Sequence, residues 1–342
     1  MLNWYKFFLP DYMLNKTNAH NICLQVYEGY GHTESLVIYG HVYKGKAARE
    51  RKYTKNIWQN LSRLIRLFFV KPVPSARVYL AWQNMVLETT TEKDGFFKFE
   101  WKSAEHVEAG WHEGMVQLKG EDGTVIKQEP ARVFVPHITQ YAFVSDIDDT
   151  VMISYSATKF KRLKVLLTKH PHNRKVFEGT KELYEKLVKA YTEPGVPNPF
   201  FYVSSSEWNL YYDLRSFFGF NKLPQGIFLL SQMKRWFQLF KTGQTKHVGK
   251  LSRIFRVMEV FPNQKFILLG DNSQADPDIY AAIADRIPDR VFAIYIRNIR
   301  PSHKAYAQEK LGKILAAENI HTLVYDHSSQ AMEHAQKIGL IE

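Results

Sequence analysis

Residues 141–150 read YAFVSDIDDT. Four apolar or aromatic residues, 141–144, give way to three acids in four positions, Asp146, Asp148 and Asp149. A run this short and this apolar suits a strand buried on both faces, as a parallel sheet requires. Downstream, similar runs at 200–203, 227–230, 266–269, 291–296 and 322–325 alternate with amphipathic stretches. The spacing of those stretches predicts helices over 179–191, 210–218, 247–260, 277–284, 305–317 and 331–338. Repeated strand–helix alternation predicts an α/β domain over 140–342, with a mostly parallel sheet and helices on both faces.

In such a sheet, ligands bind outside the carboxyl ends of the strands, so the residues just past each strand matter most. After 141–144 come Ser145 to Thr150. After 200–203 come Ser204, Ser205 and Ser206. After 266–269 come Gly270, Asp271 and Asn272, with Asp276 a little further on. The helix before that last strand carries Lys246 and Lys250 near its start, and either could reach the same edge. Carboxylates gathered at one edge repel one another and raise their pKa values, which a divalent cation relieves. Magnesium takes hard oxygen ligands and keeps several waters, so two or three carboxylates suffice. Phosphoryl transfer needs a nucleophile, a metal, a cation on the transferring oxygens and a proton donor for the leaving group. A carboxylate can serve as that nucleophile, giving an aspartyl-phosphate.

Upstream of residue 140 the pattern is β. Runs at 34–43, 76–82, 84–91, 96–101, 115–118 and 125–135 are β-branched and aromatic. Glu92-Lys93-Asp94-Gly95, between 84–91 and 96–101, reads as a hairpin turn. Short strands at this spacing predict an antiparallel β-sandwich over 1–139. Residues 44–71 interrupt it with nine basic residues and one acid, Glu50. There Ile57, Trp58, Leu61, Leu64, Ile65, Phe68 and Phe69 recur at helical spacing. Such a helix can lie on an anionic membrane surface or pack across the sandwich.

The whole chain has 342 residues, enough for two domains. At 45% hydrophobic and 23% charged, its composition excludes disordered and collagen-like classes. The net charge of +12 favours anionic partners: phosphorylated substrates, anionic lipid or nucleic acid. One cysteine, Cys23, makes an intrachain disulfide impossible and reads as a small buried hydrophobe. The first residues lack the pattern of a signal peptide, and no apolar run is long enough to span a membrane, so the expectation is a cytoplasmic protein.

The order Asp146-x-Asp148-x-Thr150, strand–Ser204, lysine, strand–Gly270-Asp271 resembles the four motifs of the haloacid dehalogenase superfamily of phosphatases, which have a Rossmann-like sheet. The resemblance implies Asp146 as nucleophile and metal ligand. Asp148 would be the general acid and base, its main-chain carbonyl also on the metal. It further implies Thr150 as a support of the loop, Ser204 as a contact to phosphoryl oxygens, Lys250 as the phosphate-side cation and Asp271 as the second metal carboxylate. Asp276 would stand behind them, and the cofactor would be Mg2+. Ser205 competes with Ser204 for its contact, and Ser206 reads as a cap for the helix starting at Glu207.

More narrowly, Ser145 to Thr150, Tyr202 to Leu210 and Phe261 to Tyr280 resemble the actin-patch-associated phosphatidate phosphatases and their bacterial relatives. Glu207 and Asn272 depart from that pattern, where Pro and Ser are usual. The resemblance implies hydrolysis of phosphatidate to diacylglycerol and phosphate. Residues 159–175, basic and apolar together and with no acid, suit a flap over a lipid headgroup at a membrane surface. Two alternatives stand beside that expectation. One is a phosphatase of the same mechanism acting on a soluble phosphomonoester. The other is a non-catalytic adaptor that binds membrane or nucleic acid, a reading that the retained acids disfavour because packed like charges cost stability.

Overall fold

The computed structural model describes residues 21–45, 71–137, 139–153, 175–231, 245–318 and 320–342, with backbone alone at 245–248 and 315–318. Nearly all of the 44–71 and 159–175 segments lies outside the described residues, as do residues 1–20. The chain divides into two compact units, one holding the described residues up to Val135 and the other those from Pro136 onward.

In the first unit, nine strands form one hydrogen-bonded network among the described residues. They are β1 (Ile22–Val26), β2 (Gly29–His32), β3 (Ser35–Lys44), β4 (Lys71–Pro72), β5 (Arg77–Trp82), β6 (Met85–Thr90), β7 (Phe96–Trp101), β8 (Gly110–Lys119) and β9 (Val125–Val135). Strand β3 is the hub. Its residues 40–44 pair with β1 and 35–37 with β2, while 36–41 pair with β7 and 43–44 with β4. Pairing is antiparallel except between β2 and β9. Alternation sorts the faces: Val78, Leu80 and Trp82 of β5 meet Phe97, Phe99 and Trp101 of β7 in the core. Cys23 is buried, as its composition class leads one to expect.

One turn behaves differently from its sequence. Glu92 to Gly95 does reverse the chain tightly, with Gly95 N donating to Glu92 O at 2.9 Å and Phe96 N to Asp94 Oδ1 at 3.1 Å. Yet β6 and β7 are not a hairpin, because β6 pairs with β5 and β7 pairs with β3. The turn carries the chain from one part of the network to another, which turn chemistry alone does not reveal. Among the described residues the hairpins are β2–β3, β5–β6 and β8–β9, the last around Glu121-Asp122-Gly123.

The second unit is built on six strands, all parallel: β10 (Tyr141–Asp146), β11 (Phe200–Glu207), β12 (Ile227–Ser231), β13 (Lys265–Asp271), β14 (Val291–Arg297) and β15 (His321–Tyr325). Their order is β12-β11-β10-β13-β14-β15. The helices are α1 (Thr180–Val188), α2 (Tyr211–Phe220), α3 (Thr245–Val260), α4 (Asp276–Arg286), α5 (Lys304–Glu318) and α6 (Ser328–Lys337). The chain steps one way from β10 through β11 to β12, then jumps back past β10 to β13 and continues the other way. Right-handed crossovers therefore put α1 and α2 on one face and α3, α4 and α5 on the other. The packing agrees: α3 touches α4 and α4 touches α5, whereas α1 packs on α6.

The reversal of direction at β10 opens a crevice at the carboxyl ends of β10 and its two neighbours, β11 and β13. The pairing also runs further than the apolar runs suggest. Asp146, Ser204 to Glu207 and Asp271 are the last residues of their strands rather than the first residues of loops. Backbone hydrogen bonding thus holds the acids themselves.

Candidate active site

Asp146 and Asp271 end adjacent strands, and Asp276 opens α4 directly after β13. Their carboxylates come together: an oxygen from each of Asp146, Asp271 and Asp276 lies within 4.8 Å of the others. All three are almost fully buried. Gly270 makes that approach possible, since a Cβ there would sit 2.5 Å from Asp276 Oδ2 and 2.8 Å from its Cβ. The backbone N–H of Asp271 donates to Asp276 Oδ2 at 3.2 Å, and Ser273 N donates to Asp271 Oδ1 at 2.6 Å.

Lys250 projects from α3 into this cluster. Its Nζ donates to Asp146 Oδ1 at 2.7 Å and to Asp276 Oδ1 at 2.5 Å, and the side chain is 8% exposed. One ammonium therefore bridges the acid that ends β10 and the acid that starts α4. Of the two lysines the sequence leaves open, Lys250 is the one seen in contact, while the side chain of Lys246 lies outside the described residues.

The electrostatics follow from three carboxylates and one buried cation. Burial raises the pKa of Asp146 well above the usual carboxylate range; Lys250 opposes that, and Asp276, Asp271 and Asp148 add to it. Burial, then the charge of Asp276, pushes Asp271 up to about 7 against the donors from Ser273. Burial works against the charge on Lys250, but Asp146 and Asp276 more than offset it and hold the ammonium above its ordinary range.

Asp148 takes a different position. Its Oδ2 accepts from Ser204 Oγ at 2.9 Å and from Ser206 Oγ at 3.1 Å, and Ser206 N donates in turn to Ser204 Oγ at 2.9 Å. Its carboxylate is not one of the three clustered acids. Ser206 is thus drawn into the site. The 3-10 turn Trp208–Leu210 is led by Glu207 with no side-chain cap, so the capping role read for Ser206 does not hold. Among the described residues Ser205 makes no hydrogen bond to the acids.

The loop after β10 folds back on itself. Val151 N and Met152 N both reach Ile147 O, and Asp149 N reaches Met152 O at 2.8 Å. Asp149 adopts φ 63°, a left-handed conformation that Asp tolerates better than most residues. Thr150 Oγ1 donates to Asp271 Oδ2 at 3.4 Å, and Thr150 O accepts from Arg297 Nε at 3.1 Å.

Arg297 ends β14 opposite Asp271 and is 2% exposed. Its Nη2 donates to Thr180 Oγ1 at 2.9 Å and Ser328 Oγ at 3.0 Å, and its guanidinium lies over the rings of Phe177 and Tyr325. Nothing in the motifs points to it. A signal was nonetheless present, since Arg297 is the first polar residue past the apolar run 291–296, the same place that the acids occupy on their own strands. Asn272 is equally informative. Its Oδ1 accepts from Ile299 N and Arg300 N at 2.8 Å each, and its Nδ2 donates to Asn298 Oδ1 at 2.6 Å and Arg300 O at 2.9 Å. A serine hydroxyl has one donor and cannot tie down the 298–300 loop in this way.

The donor set fits a divalent cation. Three buried carboxylates face one lysine, all the candidate ligand atoms are oxygens, and Asp146 Oδ2 is buried with no hydrogen-bond partner among the described residues.

Residues 141–298 match the family described as "Phosphatidate phosphatase APP1, catalytic domain". Among curated proteins, Phosphatidate phosphatase APP1 of Saccharomyces cerevisiae is 26% identical over 206 residues, which is 58% of this chain and 33% of that protein. An uncharacterized protein of Schizosaccharomyces pombe is 26% identical over 187 residues, 54% of this chain and 29% of that protein. The matched region thus spans about a third of the length of these relatives. A carbohydrate acetylesterase from Xanthomonas citri aligns in structure over 89% of this chain and 68% of that one. It does so at 12% identity and a TM-score of 0.34, too low to bear on the fold.

Proposed function

We propose that this chain hydrolyses phosphatidate to diacylglycerol and phosphate by the aspartyl-phosphate chemistry of the haloacid dehalogenase superfamily, a reading supported by the match of residues 141–298 to the catalytic-domain family of Phosphatidate phosphatase APP1. The observation that carries this reading is the contact of Lys250 Nζ with Asp146 Oδ1, 2.7 Å, in a cluster with Asp271 and Asp276. A solvated surface needs no such arrangement, and a buried one without function is expensive.

Asp146 attacks phosphorus, and the bond from phosphorus to the glycerol oxygen breaks. Asp148 gives its proton to that leaving oxygen. Water then attacks the phosphorus of the aspartyl-phosphate while Asp148 takes the proton back, which frees Asp146 and phosphate. The hydroxyls of Ser204 and Ser206 both donate to Asp148 Oδ2 and hold its carboxyl in place for both steps. Lys250 offsets negative charge on Asp146 and on the arriving phosphoryl oxygens. Asp146 and Asp271 would hold a magnesium ion with Asp276 alongside, and that ion would supply charge compensation to the transferring group.

The test is magnesium-dependent phosphate release from phosphatidate in detergent micelles, beside a soluble aryl phosphate, with Asp146→Asn as the blank. Turnover of phosphatidate well above the soluble ester, lost in the variant, supports the lipid substrate. Turnover of the soluble ester alone keeps the mechanism and discards the lipid. Folded protein silent on both overturns the enzyme reading.

A further inference from the structure

A surface pocket of about 420 Å3 opens on the α3–α4 face of the second unit. Three arginines, Arg256, Arg286 and Arg290, line it together with Phe255, Met258 and Ile287. It is separate from the acid cluster. Asp276 begins α4 and Arg286 ends it, so the two are about 15 Å apart along the helix axis.

The arginines are held in different ways. Arg290 donates from Nε to Gln264 O at 3.1 Å and from Nη2 to Met258 O at 3.4 Å and to Phe261 O. It thereby satisfies carbonyls around the end of α3 and stands fixed, with no carboxylate partner among the described residues. Arg286 lies over the Phe255 ring, 5.1 Å from its centroid, and forms no ion pair among the described residues. Arg256 reaches Glu259 at 3.8 Å, an acid whose side chain is 68% exposed. Glu259 also lines the pocket, so among the described lining residues three arginines stand beside one acid. Like charges that line one pocket are relieved by an anion. Guanidinium forks match the oxygens of phosphate in planar, bidentate geometry. The apolar floor of Phe255, Met258 and Ile287 gives the carbon body behind such a group somewhere to lie.

We propose that this pocket is a second anion site that binds a phosphate group carried on an apolar body. The guanidiniums of Arg256 and Arg286 close on the oxygens, and Arg290 serves as the fixed cation. This goes beyond the proposed hydrolysis and does not depend on it.

The experiment uses the full chain in EDTA and titrates inorganic phosphate by calorimetry. Wild type should show saturable binding, Arg256→Gln with Arg286→Gln should weaken it about tenfold or more, and Glu259→Gln should tighten it. The melting temperature of each variant without phosphate verifies folding. Equal phosphate affinity in the double variant and wild type overturns the proposal, as does the absence of saturable binding in wild type. A second arm identifies the source of the phosphate, using sedimentation with phosphatidylglycerol vesicles against phosphatidylcholine vesicles. If the double variant loses retention on phosphatidylglycerol along with its phosphate binding, the ligand is a lipid headgroup. If it loses phosphate binding and keeps vesicle retention, the ligand is a soluble phosphate ester.

Discussion

Arg297 Nε donates to the carbonyl oxygen of Thr150 at 3.1 Å, so the last residue of β14 holds the loop that follows Asp146 and carries Asp148 and Asp149. The same guanidinium reaches Thr180 at the start of α1 and Ser328 at the start of α6. Three segments distant in sequence are tied through one buried cation.

Replacing Arg297 with Lys keeps the charge and removes the fork. One ammonium cannot serve Thr150 O, Thr180 Oγ1 and Ser328 Oγ at their present angles. The expected result is a stability loss of about 2–4 kcal/mol, in the range for a disrupted buried polar network. A fall in kcat larger than the change in KM should accompany it, because the loop loses its hold. Denaturant unfolding and steady-state kinetics on the same preparation check both.

The acid cluster predicts a pH effect on metal-free protein. Asp271 has its folded pKa raised from 3.8 to about 7. Its contribution to stability is therefore complete below pH 3.8 and is lost as pH rises toward 7. Asp146 is raised in the same direction. In EDTA these acids should make the second unit less stable at pH 8 than at pH 5, and magnesium should restore more stability at pH 8. Asp271→Asn should shrink that difference. Thermal melts with and without magnesium at the two pH values provide the check; a magnesium effect independent of pH would count against the cluster as its site.

His41 predicts the opposite sign for the first unit. It is fully buried in β3, with Nδ1 2.9 Å from Tyr27 Oη, and burial lowers its pKa from 6.5 to about 3. A depressed pKa means the contribution is complete above 6.5 and is lost as pH falls toward 3. Each pH unit within that window removes about 1.4 kcal/mol, so about 2 kcal/mol is lost between pH 6.5 and 5. Hydrogen exchange of β3 peptides should quicken over that range in wild type and not in His41→Phe.

Gly270→Ala should move Asp276 with little effect elsewhere. The added methyl would meet Asp276 Oδ2 at 2.5 Å and the Tyr280 ring at 2.8 Å. Either the acid gives way, and with it one of the two carboxylates on Lys250, or α4 shifts. A loss of activity of about tenfold or more, with a stability loss of about 1–3 kcal/mol from overpacking, is expected. Activity and denaturant midpoint measured together check it.

Much of the second unit was legible because its signals are local. Each apolar run of four to six residues is a strand, and each amphipathic stretch between them is a helix. The polar residues at the strand ends include Asp146 and Asp271, and Asp276 follows a few residues later at the start of α4. The first unit was less legible at its start. Strand β1 is buried throughout and does not alternate, and β2 carries Gly29 and Gly31, residues that weaken a strand pattern. Those glycines are there because β2 approaches β3 closely: a Cβ at Gly29 would meet Val37 O at 2.2 Å, and one at Gly31 would meet Ser35 O at 2.1 Å.

The sequence by itself determined the alternation of elements, the six parallel strands and the acids, serines and lysine that meet at one edge, because hydrophobic period and residue type are properties of short stretches. Tertiary structure alone decided that Lys250 bridges Asp146 and Asp276, that Ser206 holds Asp148 instead of capping a helix, that Arg297 secures the loop and that β7 pairs with β3 instead of β6. These depend on which distant segments become neighbours. That is set by the burial and hydrogen bonding of the whole chain, and no window of sequence contains it.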